Sequence, residues 1–309
     1  MSQVQHVTIS DQSGQRIDNF LLRTLKNVPR SRVYQMLRRG EVRVNGGRSK
    51  PSRRLEDGDV VRLPPWDDRA TVRPAPSGSL QKSVLDCILH EDEALIVLNK
   101  PSGLAVHGGS GINHGLIESL REAKKEPRLE LAHRLDRDTS GVLVVARNRQ
   151  SLLKLHEAFR ERTVSKTYEV YVEGLWSKRT TRLELPLERY VTASGERRVR
   201  VRSEGKSART DFEIREVCPQ ATWLKVILHT GRTHQIRVHA ASQKHPVIGD
   251  TKYNDHERAL KSSRLCLHSA RLVVNLDGDR RAFAAPVPEE MSAIWHRLSD
   301  SDNSGHLPA

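Results

Sequence analysis

The chain has 309 residues, with 52 Lys+Arg against 38 Asp+Glu and a net charge of +14, the balance of a protein whose partner is a polyanion, nucleic acid first among them. Its three cysteines, Cys87, Cys218 and Cys266, stand far apart with no C-x-x-C pair, which argues against a zinc ribbon or a disulfide framework and fits a reducing cytosol. The first twenty residues hold no apolar run of the secretory kind, and no window approaches the ~20 apolar residues of a membrane span, so the sequence reads as a soluble cytoplasmic protein.

In chain order, a polar segment (1–15) precedes the region where the charge is concentrated. Residues 16–54 carry twelve bases against Asp18 and Glu41, a local excess of 12 − 2 = +10. Between the bases the apolar residues have helical spacing: Ile17, Phe20, Leu21 and Leu25 mark one stripe, and Val33, Tyr34 and Leu37 a second after Pro29 and a cap at Ser31. Glu41-Val42-Arg43-Val44 alternates as a strand, Asn45-Gly46-Gly47 supplies a tight turn, and Val60-Val61-Arg62-Leu63 is a last strand. A scattered excess of bases would be a solvated surface. Here the bases sit on one helix-helix-hairpin unit, which favours nucleic-acid binding.

That unit resembles the S-four domain, a compact RNA-binding module, in its R-I-D start, its S-R-x-x-x-x-L-x-x-G centre and its G-D end. The resemblance implies an RNA-binding domain at 16–64, with Arg16, Arg30, Arg32, Arg38, Arg39 and Arg43 among its RNA contacts. Residues 65–83, rich in Pro, Gly and Ser, read as a linker.

From 84 to 298 the pattern is strands with a few helices. Ala94-Leu95-Ile96-Val97-Leu98 and Val142-Leu143-Val144-Val145-Ala146 are buried strands, and a helix starts at Ser151 with Leu152, Leu155 and Phe159 on one face. In the strand from Lys166 to Glu173, Tyr168, Val170 and Val172 share the buried face, while Thr167, Glu169, Tyr171 and Glu173 face the other way. Leu224, Val226 and Leu228 alternate again, and Thr233 caps a helix over 234–243, stopped before Pro246. The class is mixed α+β with a largely antiparallel sheet behind a small α/β domain, and the polar tail 299–309 reads as disordered.

The stretch HRLDRDTSG (133–141) sets Asp136 and Asp138 among bases at the lip of the strand VLVVA. A metal is disfavoured, because Arg134 and Arg137 compete with a cation and no further carboxylates cluster there; Gly108-Gly109-Ser110-Gly111 is too short for a phosphate loop, and His234 and His239, five apart, do not align on one helix face as a zinc pair. A neighbouring guanidinium favours a permanently ionised acid, suited to a nucleophile or a base.

HRLDRDTSGVLVVAR is similar to the signature of the pseudouridine synthases of the RluA family, and NKPSGLAVHGGSG (99–111), KTYEVYVEG (166–174) and LHTGRTHQIRVHAASQKHPVIGDTKY (228–253) agree with it in family order. The arrangement is most similar to the RluC type, which modifies several uridines of large-subunit ribosomal RNA; Asn254, where the family usually has Gly, is a mild departure. The resemblance implies a pseudouridine synthase fold, no cofactor, no metal, a monomer, and ribosomal RNA as substrate and partner. It implies that Asp136 is the catalytic acid, that Arg237 pairs with it, that Tyr168 stacks under the base and helps remove the proton from carbon five, and that Arg134 fills the gap left by a flipped uridine. Lys100 and Arg232 join Arg134 as RNA contacts, although Lys100 also closes a strand. Two other classes use related features: a glycosidase or nucleosidase, which needs a second carboxylate, and a non-catalytic RNA-binding assembly factor.

Overall fold

The computed structural model describes residues 3–10, 13–25, 28, 30–66, 76–108, 114–254, 257 and 259–300. The polar segment 1–15 contributes more than a leader: β1 (Gln5–Thr8) pairs antiparallel with a later strand, and Ile9 behind it is buried. α1 (Ile17–Thr24) and α2 (Arg30–Arg39) follow, burying Ile17, Phe20, Leu21 and Leu25 against Val33, Met36 and Leu37. Helix α2 begins at Arg30, so Ser31 lies inside it rather than at its cap. β2 (Arg43–Val44) and β3 (Gly47–Arg48) flank a turn whose Asn45 and Gly46 both take positive φ, as a tight hairpin demands. β4 (Val60–Leu63) completes a sheet of order β1-β4-β2-β3, and this first compact unit ends at Ala75.

The second unit begins at Pro76. The expected linker 65–83 is cut short there, because Ser77 accepts the Leu80 N–H and starts α3 (Gly78–Leu85), which buries Val84. Then come β5 (Ile88–Glu91), β6 (Leu95–Lys100), α4 (Leu116–Lys124), β7 (Glu130–Leu131), β8 (Ser140–Ala146) and α5 (Arg149–Glu161), capped by Asn148. The chain continues through β9 (Ser165–Glu173), β10 (Arg182–Leu183), the hairpin β11 (Leu187–Val191) and β12 (Arg197–Val201), β13 (Thr210–Cys218), β14 (Ala221–Leu228), α6 (Gln235–Ser242), β15 (Leu267–Leu276), β16 (Asp279–Ala284) and α7 (Glu289–Asp300). The large sheet runs β10-β13-β14-β9-β15-β8-β6-β5, with β16 on β15 and β7 on β8. The α+β class is as expected, and among the described residues no helix is long and apolar enough to cross a membrane.

Both faces of β9 are covered. Tyr168, Val170 and Val172 join one core, whereas Tyr171 is buried on the other face with Trp223 and with Trp295 of α7. Met291, Ile294 and Trp295 recur at helical spacing and hold α7 down, each such side chain worth roughly 1.5–3 kcal/mol when fully buried. Helix α7 includes Ser299 and Asp300, which the sequence reading placed in a disordered tail; residues 301–309 lie outside the described residues.

The pairing of β8 with β15 is the one parallel contact in this sheet among the described residues. It explains the last letter of HRLDRDTSG. Gly141 has φ +108, and a Cβ there would lie 2.2 Å from the Ser269 carbonyl oxygen. Beside it Ser140 Oγ bonds His268 Nδ1 at 2.9 Å and accepts from Arg264 at 2.5 Å, tying the two strands together inside the core. Gly141→Ala is therefore expected to lower stability by at least ~2 kcal/mol, since steric overlap adds to left-handed strain of about 1–2 kcal/mol. Gly195→Ala, at φ +81 with nothing within 4 Å, carries the strain alone and should lose less. Denaturant midpoints for the two variants check this, and equal losses would show that the strands can part without penalty.

Candidate active site

The loop from 132 to 139 joins β7 to β8, and its backbone is gripped from behind. Lys100, at the end of β6, is fully buried, and its Nζ donates to the carbonyls of Pro101, Leu104 and Arg137, each at 2.8 Å. Three acceptors use all three protons of an ammonium. Burial pushes this group down to about 7, against the pull of Asp138 and Asp136. Ser102 donates to the Asp138 carbonyl at 2.7 Å, the Thr139 N–H returns to the Asp136 carbonyl at 3.2 Å, and His133 Nε2 accepts the Val144 N–H at 3.0 Å. Lys100 is thus corrected from an RNA contact to a strut: a side chain with no exposed surface and every donor used cannot meet a polyanion.

With the backbone held, the Asp136 side chain points into a cleft of about 130 Å3 shared with Arg134, Tyr168, Arg189 and His234. Asp136 is the one carboxylate among the lining residues. Arg137 turns outward to Asp138 at 3.0 Å. Tyr168 rises from the middle of β9 and is 7% exposed; burial first, and the Asp136 charge after it, push its phenol up to about 12, so it is protonated at neutral pH.

Arg237 does not pair with Asp136. Its guanidinium is buried on α6 and bonds Asp250 bidentately, at 2.7 Å through both Nε and Nη2. Asp250 also accepts the N–H groups of Lys252 and Tyr253, and it is placed by Gly249, whose φ of +78 leaves no room for a Cβ under the Arg264 carbonyl. A fork-shaped guanidinium is satisfied by this nearer carboxylate. Asp136 acts on Arg237 only through its field.

The ion-pair contact of Asp136 found among the described residues is with His234, whose Nε2 lies 3.9 Å from Oδ2. Sequence reasoning dismissed His234 as a zinc ligand and gave it no other role, and it named Thr233 as the helix cap. Instead His234 itself occupies the cap position with φ 53, and the Thr233 hydroxyl accepts from Arg189 of β11. His234 Nδ1 is 2.7 Å from the Tyr253 hydroxyl, whose oxygen accepts the Val199 N–H at 3.0 Å. Assigning the Tyr253 proton to Nδ1 puts the imidazole proton on Nε2, facing Asp136. Burial lowers the His234 pKa, against the Asp136 charge. His239 is structural, bonded to Thr210 and the Leu185 carbonyl. No group of His, Cys, Asp and Glu among the described residues could hold a metal.

Of the other expected contacts, Arg134 is exposed at the cleft rim, and Arg232 lines the cleft while donating to the Ser207 carbonyl at 3.0 Å. In the first unit, Arg38, Arg39 and Arg43 are exposed, whereas Arg16 is paired with Asp18 and Arg32 with Glu41. Arg30 opens α2, and its side chain lies outside the described residues. Asn254 donates to Glu173 at 2.7 Å in the core and leaves the cleft untouched.

The chain was compared with known proteins. Residues 94–242 match the model of the RNA pseudouridylate synthase family, and residues 15–61 match the S4 domain. Ribosomal large subunit pseudouridine synthase C of Yersinia pestis is 50% identical over 278 residues, covering 87% of each chain. The protein of that name from Escherichia coli (strain K12) is 46% identical over 304 residues, 94% of this chain and 95% of its own. Among solved structures, human RNA pseudouridylate synthase domain containing 4 superposes with a TM-score of 0.60 at 25% identity, covering 71% of this chain and 95% of its own.

The tautomer assignment makes a prediction. Long-range 15N correlation spectra of labelled protein should show His234 protonated on Nε2 alone, and Tyr253→Phe, which removes the donor to Nδ1, should give a mixture of tautomers. A pure Nε2–H form in the Phe variant would show that Tyr253 does not set the proton.

Proposed function

Since this chain belongs to the RNA pseudouridylate synthases and is an RNA pseudouridine synthase carrying an S4 domain, we propose that it isomerises uridine to pseudouridine in large-subunit ribosomal RNA, at several sites, with Asp136 as the catalytic acid. The reaction breaks the bond from the anomeric carbon to nitrogen one, turns the base, joins carbon five to the sugar, and moves the carbon-five proton away while nitrogen one gains one. Atoms and electrons balance without a redox step or a donor.

The observation that carries the reading is a single carboxylate in a cleft walled by cations and a buried phenol. A glycosidase needs a second carboxylate as acid, and none lines this cleft among the described residues. Asp136 has two routes, attack at the anomeric carbon or removal of the proton from the neighbouring ribose carbon, and both need an ionised carboxylate beside the sugar. His234 Nε2 lies 3.9 Å from that carboxylate, and Arg237 is held by Asp250. The uridine must leave its stack to reach Asp136, at a cost of a few kcal/mol. Arg134, exposed at the rim, is placed to occupy the gap.

Tyr168 forms the floor beneath the base. A phenol pushed up to about 12 is no free base at neutral pH, so it takes the carbon-five proton only while its own passes to water in the same step. In the first unit the exposed Arg38, Arg39 and Arg43 supply phosphate contacts, which position the strand without reading it.

Two substitutions test the assignment on one unmodified ribosomal RNA fragment. Asp136→Asn keeps the size and loses the charge; it should bind RNA with wild-type affinity and release no tritium from carbon-five-labelled uridine. Tyr168→Phe keeps the stacking surface and should turn over at least ~100-fold more slowly with binding and melting temperature unchanged, the lower range for a lost acid–base group. Near-normal turnover by the Asn variant would remove Asp136 from the mechanism, and full activity of the Phe variant would remove the phenol.

A further inference from the structure

A second cavity, of about 470 Å3, adjoins the Asp136 cleft and shares Arg134, Tyr168, Leu228, Gly231 and Arg232 with it. Its far wall is Phe159, Arg160 and Arg162 at the end of α5 and Lys166 at the start of β9. No carboxylate lines it among the described residues. A bland account is available for part of this: arginines at a helix C-terminus complement the helix dipole and need no ligand. Arg160 fits that account, being exposed and paired with Glu157 at 3.1 Å.

Lys166 does not fit it. It belongs to a strand, not to the helix, and its half-buried stem carries Nζ to 6.0 Å from the centre of the Phe159 ring. Among the described residues its ammonium has neither an ion pair nor a hydrogen bond, and Arg162 has no carboxylate partner. Burial, with Arg162 adding to it, pushes the Lys166 ammonium down to about 8. Two cations gathered at a cavity without a counter-ion are mutually unfavourable, and an anion between them reverses the sign.

We propose that Lys166 and Arg162 form a subsite for one RNA phosphodiester, that of the linkage flanking the uridine held over Tyr168. The inference rests on the reading of this chain as an enzyme acting on RNA. Tyr168 is the common wall of the two cavities, so a base lying on it in the Asp136 cleft leaves its sugar–phosphate backbone to pass the cationic side. The subsite fixes where the ribose stops relative to Asp136 and carries no sequence information, as phosphate contacts do.

The test uses the full chain and unmodified transcribed large-subunit ribosomal RNA, with affinity measured across a salt series. Lys166→Met keeps the apolar stem on Phe159, and Arg162→Met changes an exposed position. Each should flatten the slope of log affinity against log salt by ~0.7 to 0.9, and the double variant by about the sum. Lys225→Met, whose lysine is already paired with Glu213 at 2.7 Å, should leave the slope as it is. In the wild type, Lys166 should be the lysine acetylated fastest at pH 8, and the same RNA should protect it. Unchanged slopes in both variants, an equal fall in the Lys225 control, or labelling of Lys166 that RNA does not slow would each overturn the subsite. If Lys166→Met fails to fold, the Arg162 slope and the labelling decide. Pseudouridine is counted in the same tubes: product with unchanged slopes defeats the subsite alone, whereas flattened slopes without product defeat the catalytic reading and leave the phosphate site standing.

Discussion

A buried ammonium bonded to three carbonyl oxygens is the constraint on which the rest of the site depends. Lys100 spends one donor on the Arg137 carbonyl of the turn that carries Asp136 and the other two on the Pro101 and Leu104 carbonyls of the segment after β6, so the turn is tied to that segment through its main chain and the carboxylate remains uncommitted. Desolvating a charge is costly unless all its bonds are made, and here they join the Asp136 turn to the segment after β6. The strand β8 then leaves the turn in register with β6 and passes β15 at a distance only Gly141 allows. The fold therefore positions the side chain on which the proposed reaction rests.

Around that carboxylate the opposing charge is graded by distance. The His234 imidazole, held by Tyr253, lies 3.9 Å away, and Arg237 is set back because Asp250 claims its fork. A direct Asp136–arginine pair would anchor the acid more firmly and consume the lone pairs the reaction needs. The arrangement also links the β11–β12 hairpin to the site, since Val199 holds Tyr253 and Arg189 holds Thr233 next to His234.

Much of this was legible in the sequence where one periodicity decides the outcome. The alternation in β9 placed Tyr168 with Val170 and Val172, and the stripes of α1 and α2 placed their buried residues. The Asp136 loop stood out because acids boxed by bases beside an apolar strand are a local pattern. Long-range pairing was not legible. A lysine before Pro101 reads the same whether it meets RNA or three carbonyls, and nothing near Arg237 in the chain announces that Asp250, thirteen residues on, reaches it first. His234 was overlooked because a left-handed cap on a non-glycine residue has no sequence signature of its own. Helix α7 was not read, although Met291, Ile294, Trp295 and Leu298 have helical spacing; their contact with Tyr171 and Trp223 was hidden as well.

The central claim is that the excess of positive charge and the single cleft carboxylate serve one reaction, isomerisation of uridine within an RNA strand. Its most direct measurement is nucleoside analysis of unmodified transcribed large-subunit ribosomal RNA after incubation with the purified chain. The account predicts pseudouridine at discrete positions, matched one for one by loss of uridine, with no uracil set free. Free uracil would identify a nucleosidase, and bound RNA of unchanged composition would identify a binding protein; either result would contradict it.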